Sequence, residues 1–232
     1  AHGWWTNEGQ KISKSLGNII DPLELVATYG LDQTRYFLMR EVPFGNDGDF
    51  SRRAMVTRIN ADLANDFGNL VQRVLAQINK NCAGLVPAPG DFLAADQALL
   101  EKSSAVLGPM RAHLARQEIH LALARLWEVM GAANRYIDEQ APWALRKSDP
   151  ARMATVLYTL AEAIRRLAIL AQPVMPATLV SNSPLDSAMH QLLAATDGAI
   201  ERQTLLQVAS LPAQVDPAQG RIDSVPPRWN FE

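Results

Sequence analysis

Two small sets of residues in this chain have types and spacings that could do chemistry. The first is Lys11-Ile12-Ser13-Lys14-Ser15, followed by Gly17 and Asn18. A lysine ammonium is a compact charge on a flexible stem, suited to phosphate oxygens that move during a reaction. The Ser13 and Ser15 hydroxyls, and backbone N–H groups freed in such a loop, add neutral donors to the same anion. The second set is Asn69 and Arg73, four residues apart and so stacked on one helix flank, with Pro142-Trp143 further along. Asparagine can both donate to and accept from a base edge, and arginine can make a bidentate or stacked contact. A tryptophan held behind a proline at a helix end is a platform on which an unstacked RNA base could lie. Plainer readings stand beside both sets. Lys-x-x-Lys-Ser also describes a solvated turn, Asn and Arg four apart are often solvated or ion-paired, and Trp after Pro can plug a core corner.

Other residues invite less. His113 and His120 fall seven apart with no cysteine or carboxylate to complete a metal site, and read as surface histidines. Arg165-Arg166 reads as a solvated pair on a helix flank. Glu24, Asp32, Asp47 and Asp49 show no pairing that argues for acid–base work. Cys82 stands alone, which excludes an intramolecular disulfide or a Cys-rich zinc knuckle within the chain.

The elements that must position these residues are mostly helices. A strand through His2-Gly3-Trp4-Trp5 and a turn at Gly9 precede the lysine loop. Asp21-Pro22 starts a short helix to about Thr28, closed at Gly30, and Asp32 caps a second helix to about Val42. Pro43 to Asp49 reads as a turn cluster and hinge. From Ser51 a long helix carries Ile59, Leu63, Phe67, Leu70, Val74 and Ile78 on one buried stripe, with Asn65, Asn69 and Arg73 beside it. A second runs from about Ala94 to Ala115, interrupted near Pro109. A third runs from about Glu118 to Gln140 and ends at Ala141-Pro142-Trp143. A fourth starts at Asp149-Pro150 and stops at Pro173 and Pro176. Four helices with such connections suggest an antiparallel bundle. Asp186–Ala195 and Ala199–Val208 read as short helices, followed by a proline-rich extended tail.

A chain of 232 residues with 48% hydrophobic content can bury one large or two small cores. Its 22 basic and 24 acidic residues nearly cancel, so any nucleic-acid contact must come from local basic faces. No apolar run approaches a membrane span, and no signal peptide is visible; the reading is a soluble, cytoplasmic chain.

The run HGWWTNEGQKISKSLGN resembles the second signature loop of class I aminoacyl-tRNA synthetases, KMSKS, with Ile12 in place of Met. With DPLELVATYGLDQTRYFLMREVPFGNDGDF downstream, it resembles the methionyl-tRNA synthetase family in particular. The resemblance implies a loop that steadies the triphosphate of ATP, used with Mg²⁺, while methionine attacks the α-phosphorus. Lys14 would be the leading phosphate ligand, Lys11 the second, and Ser13 and Ser15 would belong to the ATP site. GNLVQR and NRYIDEQAPWAL are similar to the family's anticodon-binding segments, with Asn69, Arg73, Pro142 and Trp143 on the matching residues. That implies a CAU-reading site for tRNA-Met, with Arg146 and Lys147 either toward the phosphate backbone or, on the plainer reading, at a solvated helix start.

The expected fold class is therefore mainly α: the end of a class I nucleotide-binding catalytic domain, then an antiparallel helix bundle. Residues 1–50 are expected to hold the KISKS loop and connecting helices, 51–180 the anticodon-binding bundle, and 181–232 the C-terminal helices and tail. The chain starts at Ala1 without a HIGH-like motif and reads as the C-terminal portion of a methionine–tRNA ligase. The rival readings are a non-catalytic helical tRNA-binding protein, or a related ligase for Leu, Ile, Val or Cys.

Overall fold

A computed structural model of the chain describes residues 3–176. The helices expected at Asp186–Ala195 and Ala199–Val208, the tail and residues 181–232 as a unit lie outside them.

The chain opens with a hairpin, β1 (Trp5–Asn7) and β2 (Gln10–Lys11), paired antiparallel. Glu8 and Gly9 between them both take positive φ, 50° and 76°, the combination a two-residue hairpin turn requires. A third strand, β3 (Gly48–Phe50), runs parallel to β1, giving the order β2-β1-β3. The Pro43–Asp49 turn cluster is thus not a free hinge. Its last residues are tied to β1, and Asp49 Oδ1 accepts from Thr6 Oγ1 at 2.5 Å and Gly9 N–H at 2.8 Å.

Two helices follow the lysine loop. In α1 (Pro22–Tyr29), Asp21 accepts from Leu23 N–H and Pro22 occupies the first turn, as the sequence predicts. Gly30, at φ 93°, ends α1 and directly precedes α2 (Leu31–Glu41). A residue with a β-carbon is strained in that conformation, so glycine sits at this corner. Asp32 is not the cap of α2: Gly30 holds that position, and Asp32 lies buried in the first turn. Leu25, Tyr29, Phe37, Phe50, Met55, Val56 and Ile59 form a small core around these elements, with Phe37 edge-on to Phe50.

The long helix from Ser51 is one rod with three parts: α3 (Arg52–Arg58), a π-helical segment (Ile59–Gly68) and α4 (Asn69–Asn81). The Asn69 N–H reaches Ala64 O, one residue further than an α-helix allows. Every residue of the predicted stripe, from Ile59 to Ile78, is buried. The π turn is met by side chains of α7 (Ile119–Gln140). Trp127 Nε1–H donates to Asp62 O at 3.3 Å, and Asn134 Nδ2–H donates to Asp66 O at 3.0 Å.

The helix expected over 94–115 is broken into α5 (Ala94–Ala105) and α6 (Leu107–Ala115), with Pro109 in the first turn of α6. Proline lacks the N–H that would bond four residues back, so the break falls just upstream. A short helix, α8 (Pro142–Ser148), stands between α7 and α9 (Pro150–Ala171). Residues of the π segment, α4, α7 and α9 close the main core, joined by Leu99 of α5 and Met110 of α6. Among the described residues no helix is long and apolar enough to cross a membrane.

Three minor expectations change. Arg165 and Arg166 are not solvated: both pair with the mostly buried Glu162, at 2.6 and 2.7 Å. His113 is no surface histidine, since its side chain is 13% exposed and its Nδ1 lies 2.7 Å from Glu118 Oε2. His120 keeps its Nδ1 buried.

Candidate functional site

The lysine loop hangs from the end of β2. Asn18 closes it from below: its Oδ1 accepts from Ser13 N–H at 2.9 Å, and its Nδ2 donates to Lys11 O at 3.0 Å. Asn7 Nδ2 in turn donates to Asn18 O at 2.9 Å, tying the loop base to β1. Within the loop, the Ser13 and Ser15 hydroxyls share a 2.7 Å hydrogen bond, and Ser15 N–H donates to Ser13 Oγ. Gly17, at φ 65°, lets the chain turn out of the loop. Lys11, Lys14 and Ser15 are exposed and Ser13 half-buried. Among the described residues neither lysine has an ion pair, so both ammonium groups face water. The hairpin and Asn18 hold the backbone while the two charged side chains stand exposed. That combination suits an anion whose oxygens shift position during a reaction.

Asp49 supports this platform from β3. The hydrogen bonds from the Thr6 hydroxyl and the Gly9 N–H hold its carboxyl below the usual carboxylate range. Sequence reading set Asp49 aside for want of a pairing that argues for acid–base work; the groups that engage it lie some forty residues upstream, beyond any local pattern.

The second set is assembled by the bundle. On α4, Asn69 is exposed and Arg73 half-exposed on the outward flank. The segment after α7 brings Trp143 beside them. The Arg73 guanidinium carbon lies 5.4 Å from the centre of the Trp143 ring, within cation–π range. The Trp143 side of this pair is built by an abrupt corner. Ala141 takes a left-handed conformation, φ 42° and ψ 60°, ending α7, and buried Pro142 starts α8. Trp143 therefore sits in the first turn of a helix, and it is 47% exposed. A core plug would be almost wholly buried. With Arg73 near one side, much of the ring remains open to a second planar group.

Arg73 has a further partner that sequence reading missed. Its Nη2 lies 2.5 Å from Asp138 Oδ1, on α7 one turn before the corner. The Asp138 side chain is 63% exposed, so the pair is in water and worth about 1 kcal/mol at most. It aims the guanidinium rather than locking it. Arg146 and Lys147, in the last turn of α8, are exposed on the same short helix. The structure thus joins Arg73, Pro142 and Trp143, with Asn69 one turn from Arg73. The KISKS residues form a separate loop on the strand module. Among the described residues, no group of three or more His, Cys, Asp or Glu could hold a metal ion.

Residues 1–75 match the family described as class I tRNA synthetases (M), and residues 86–211 match the anticodon binding domain of methionyl tRNA ligase. The methionine–tRNA ligase of Brucella suis is 58% identical over 176 residues, covering 76% of this chain and 34% of that protein. That of Mycobacterium leprae is 52% identical over 180 residues, with the same coverage. The chain therefore spans about a third of the length of these relatives. The Mycobacterium tuberculosis methionyl-tRNA synthetase in complex with methionyl-adenylate is 46% identical and superposes with a TM-score of 0.75. That match covers 88% of this chain and 40% of that one.

Proposed function

Because this chain belongs to the methionyl-tRNA synthetase family, we propose that it forms part of a methionine–tRNA ligase. In that reaction the methionine carboxylate attacks the α-phosphorus of ATP and pyrophosphate leaves. The methionyl group then passes to tRNA-Met and AMP departs. We assign residues 1–50 to the end of the catalytic domain, 51–180 to the anticodon reader and 181–232 to a C-terminal extension. Lys14, with Lys11, meets the triphosphate oxygens as charge builds on the leaving pyrophosphate, a contribution made by position and charge rather than by a nucleophile. Ser13 and Ser15 line the same site. The mycobacterial relative is in complex with methionyl-adenylate, the product of the first step, which supports the ligase reading. Mg²⁺ would accompany ATP as counter-ion of its phosphates. The described residues offer no acidic cluster for it. The cytoplasm is the compartment where such a ligase meets tRNA.

The observation that carries the reading is the Arg73–Trp143 pair, a half-exposed indole 5.4 Å from a guanidinium, flanked by exposed Asn69. An unstacked anticodon base lies on the indole, while Asn69 and Arg73 address base edges; Arg146 and Lys147 approach the backbone. Pro142 holds the corner. The test is titration of Trp143→Ala with an anticodon stem-loop bearing CAU, beside thermal melting. Weakened binding by a folded variant is expected. Unchanged affinity overturns the anticodon site.

A further inference from the structure

The short helix α8 and its tryptophan form an excursion between two residues that touch. Gln140, the last residue of α7, accepts through Oε1 a 2.7 Å hydrogen bond from Arg152 Nη2, in the first turn of α9. The segment between them, including Pro142 and Trp143, leaves and rejoins the bundle at that closure, with Pro142 buried and Leu145 packed against the main core. Arg152 is itself fixed. Its guanidinium makes a two-pronged contact with Asp96, Nη1 to Oδ2 at 2.5 Å and Nη2 to Oδ1 at 2.8 Å. Asp96 is wholly buried, caps α5 by accepting from Leu93 N–H at 2.8 Å, and also accepts from the Tyr136 hydroxyl on α7. Burial alone would raise the Asp96 carboxyl, but these donors, Arg152 first, hold it below the usual range. Gln140 thus closes the corner onto a charge that cannot move without unpairing a buried carboxylate.

The anchor reaches the base of the indole-bearing helix from α5, α7 and α9 together. We propose that Arg152, acting through Gln140, is a positioning residue that sets where the Trp143 indole stands for an incoming anticodon base. The proposal rests on the anticodon reading above. Neither Arg152 nor Gln140 touches the RNA. Arg152 holds the ends of the excursion at one separation, so the indole is presented in one orientation before the base arrives. Pre-set geometry of this kind lowers the ordering cost of binding.

Gln140→Leu is the informative change, because it removes the closing bond and leaves Asp96 paired with Arg152. The full 232-residue chain is titrated with the CAU stem-loop, and the free protein is observed by fluorine NMR with 5-fluorotryptophan incorporated. The residue 143 line is identified by its loss in Trp143→Phe. Gln140→Leu is expected to weaken binding about threefold to tenfold, the range of one net hydrogen bond. It should also shift or broaden the residue 143 line with little change in melting temperature. Gln140→Glu, which keeps the acceptor and adds charge toward Arg152, should restore both. In a Trp143→Ala background Gln140→Leu should cost nothing more. An equal loss in that background, a large fall in melting temperature, or silence in both readouts while Trp143→Ala is impaired overturns the positioning role alone. If Trp143→Ala itself binds normally, the anticodon reading fails, and this proposal fails with it.

Discussion

The guanidinium of Arg73 and the indole of Trp143 meet at 5.4 Å, although three helices separate them in the chain. Neither group is buried as a core residue would be, and neither is free in water. The pair is held from both sides, by Asp138 next to the guanidinium and by the Ala141-Pro142 corner beneath the indole.

The first expectation concerns that indole. Trp143→Ala should weaken CAU stem-loop binding by about 1–3 kcal/mol, roughly tenfold to a hundredfold. Because the ring is 47% exposed, melting should change little, whereas a core tryptophan would cost about 3–5 kcal/mol of stability. A stem-loop with an altered anticodon should bind weakly and lose little more on mutation. Normal stem-loop affinity in a destabilised variant would contradict the site.

Lys14 is expected to act on the rate of activation. In the intact ligase, Lys14→Ala should slow adenylate formation by about 10²–10³ while methionine binding stays close to normal. That pattern marks an interaction made with charge that develops only in the transition state. Rapid-quench measurement of a single turnover reads it. A pre-steady-state rate within about a factor of two of the parent would place Lys14 outside the phosphate site.

Asp49 gives a pH dependence with a defined sign. Its folded carboxyl titrates below the ordinary 3.8 because the Thr6 hydroxyl and Gly9 N–H bond the charged form. A depressed folded value means the contribution is fully present above 3.8 and is lost as pH falls through the lower folded value. The Gly9 amide resonance should therefore stay constant from neutral pH down to that region, then move as the hairpin turn loosens. Asp49→Asn should show the loosened turn at neutral pH. Titration of Asp49 at or above its ordinary value would remove this support from the lysine loop.

Glu162 is expected to matter to the fold and not to RNA. It is 9% exposed and bonds both Arg165 and Arg166; burial opposes its charge, and the two guanidiniums nonetheless hold its carboxyl below the usual range. Glu162→Leu leaves two cations without their carboxylate and should cost about 3 kcal/mol, the low end for a broken buried pair. Arg166 keeps Leu100 O and Ser103 as partners, which limits the loss. Chemical denaturation measures the change. A loss under about 0.5 kcal/mol would mean the group is solvated after all.

What the sequence alone decides about this protein is what a few neighbouring residues can decide. Asp21-Pro22 and Asp149-Pro150 start helices because a carboxylate and a fixed φ act within one turn. The stripe from Ile59 to Ile78 is buried because its period matches a helix, and the chain breaks before Pro109 because one hydrogen bond cannot form. Residue type and spacing mark the lysine loop and the Asn69, Arg73 and Trp143 set as candidates, and the family resemblance is what raises them above the plainer readings. Tertiary structure decides what pairs across distance. Gly48–Phe50 becomes a strand only because β1 offers it backbone groups, since Gly and Asp have little preference for strands. The π segment is met by Trp127 and Asn134 from α7, donors that no local window contains. The same holds for Asp138 beside Arg73, and for Arg152 set between Asp96 and Gln140. Caps and periodicity act over a turn or two of chain, whereas an ion pair or ring contact exists only after packing has brought distant segments within a few ångströms.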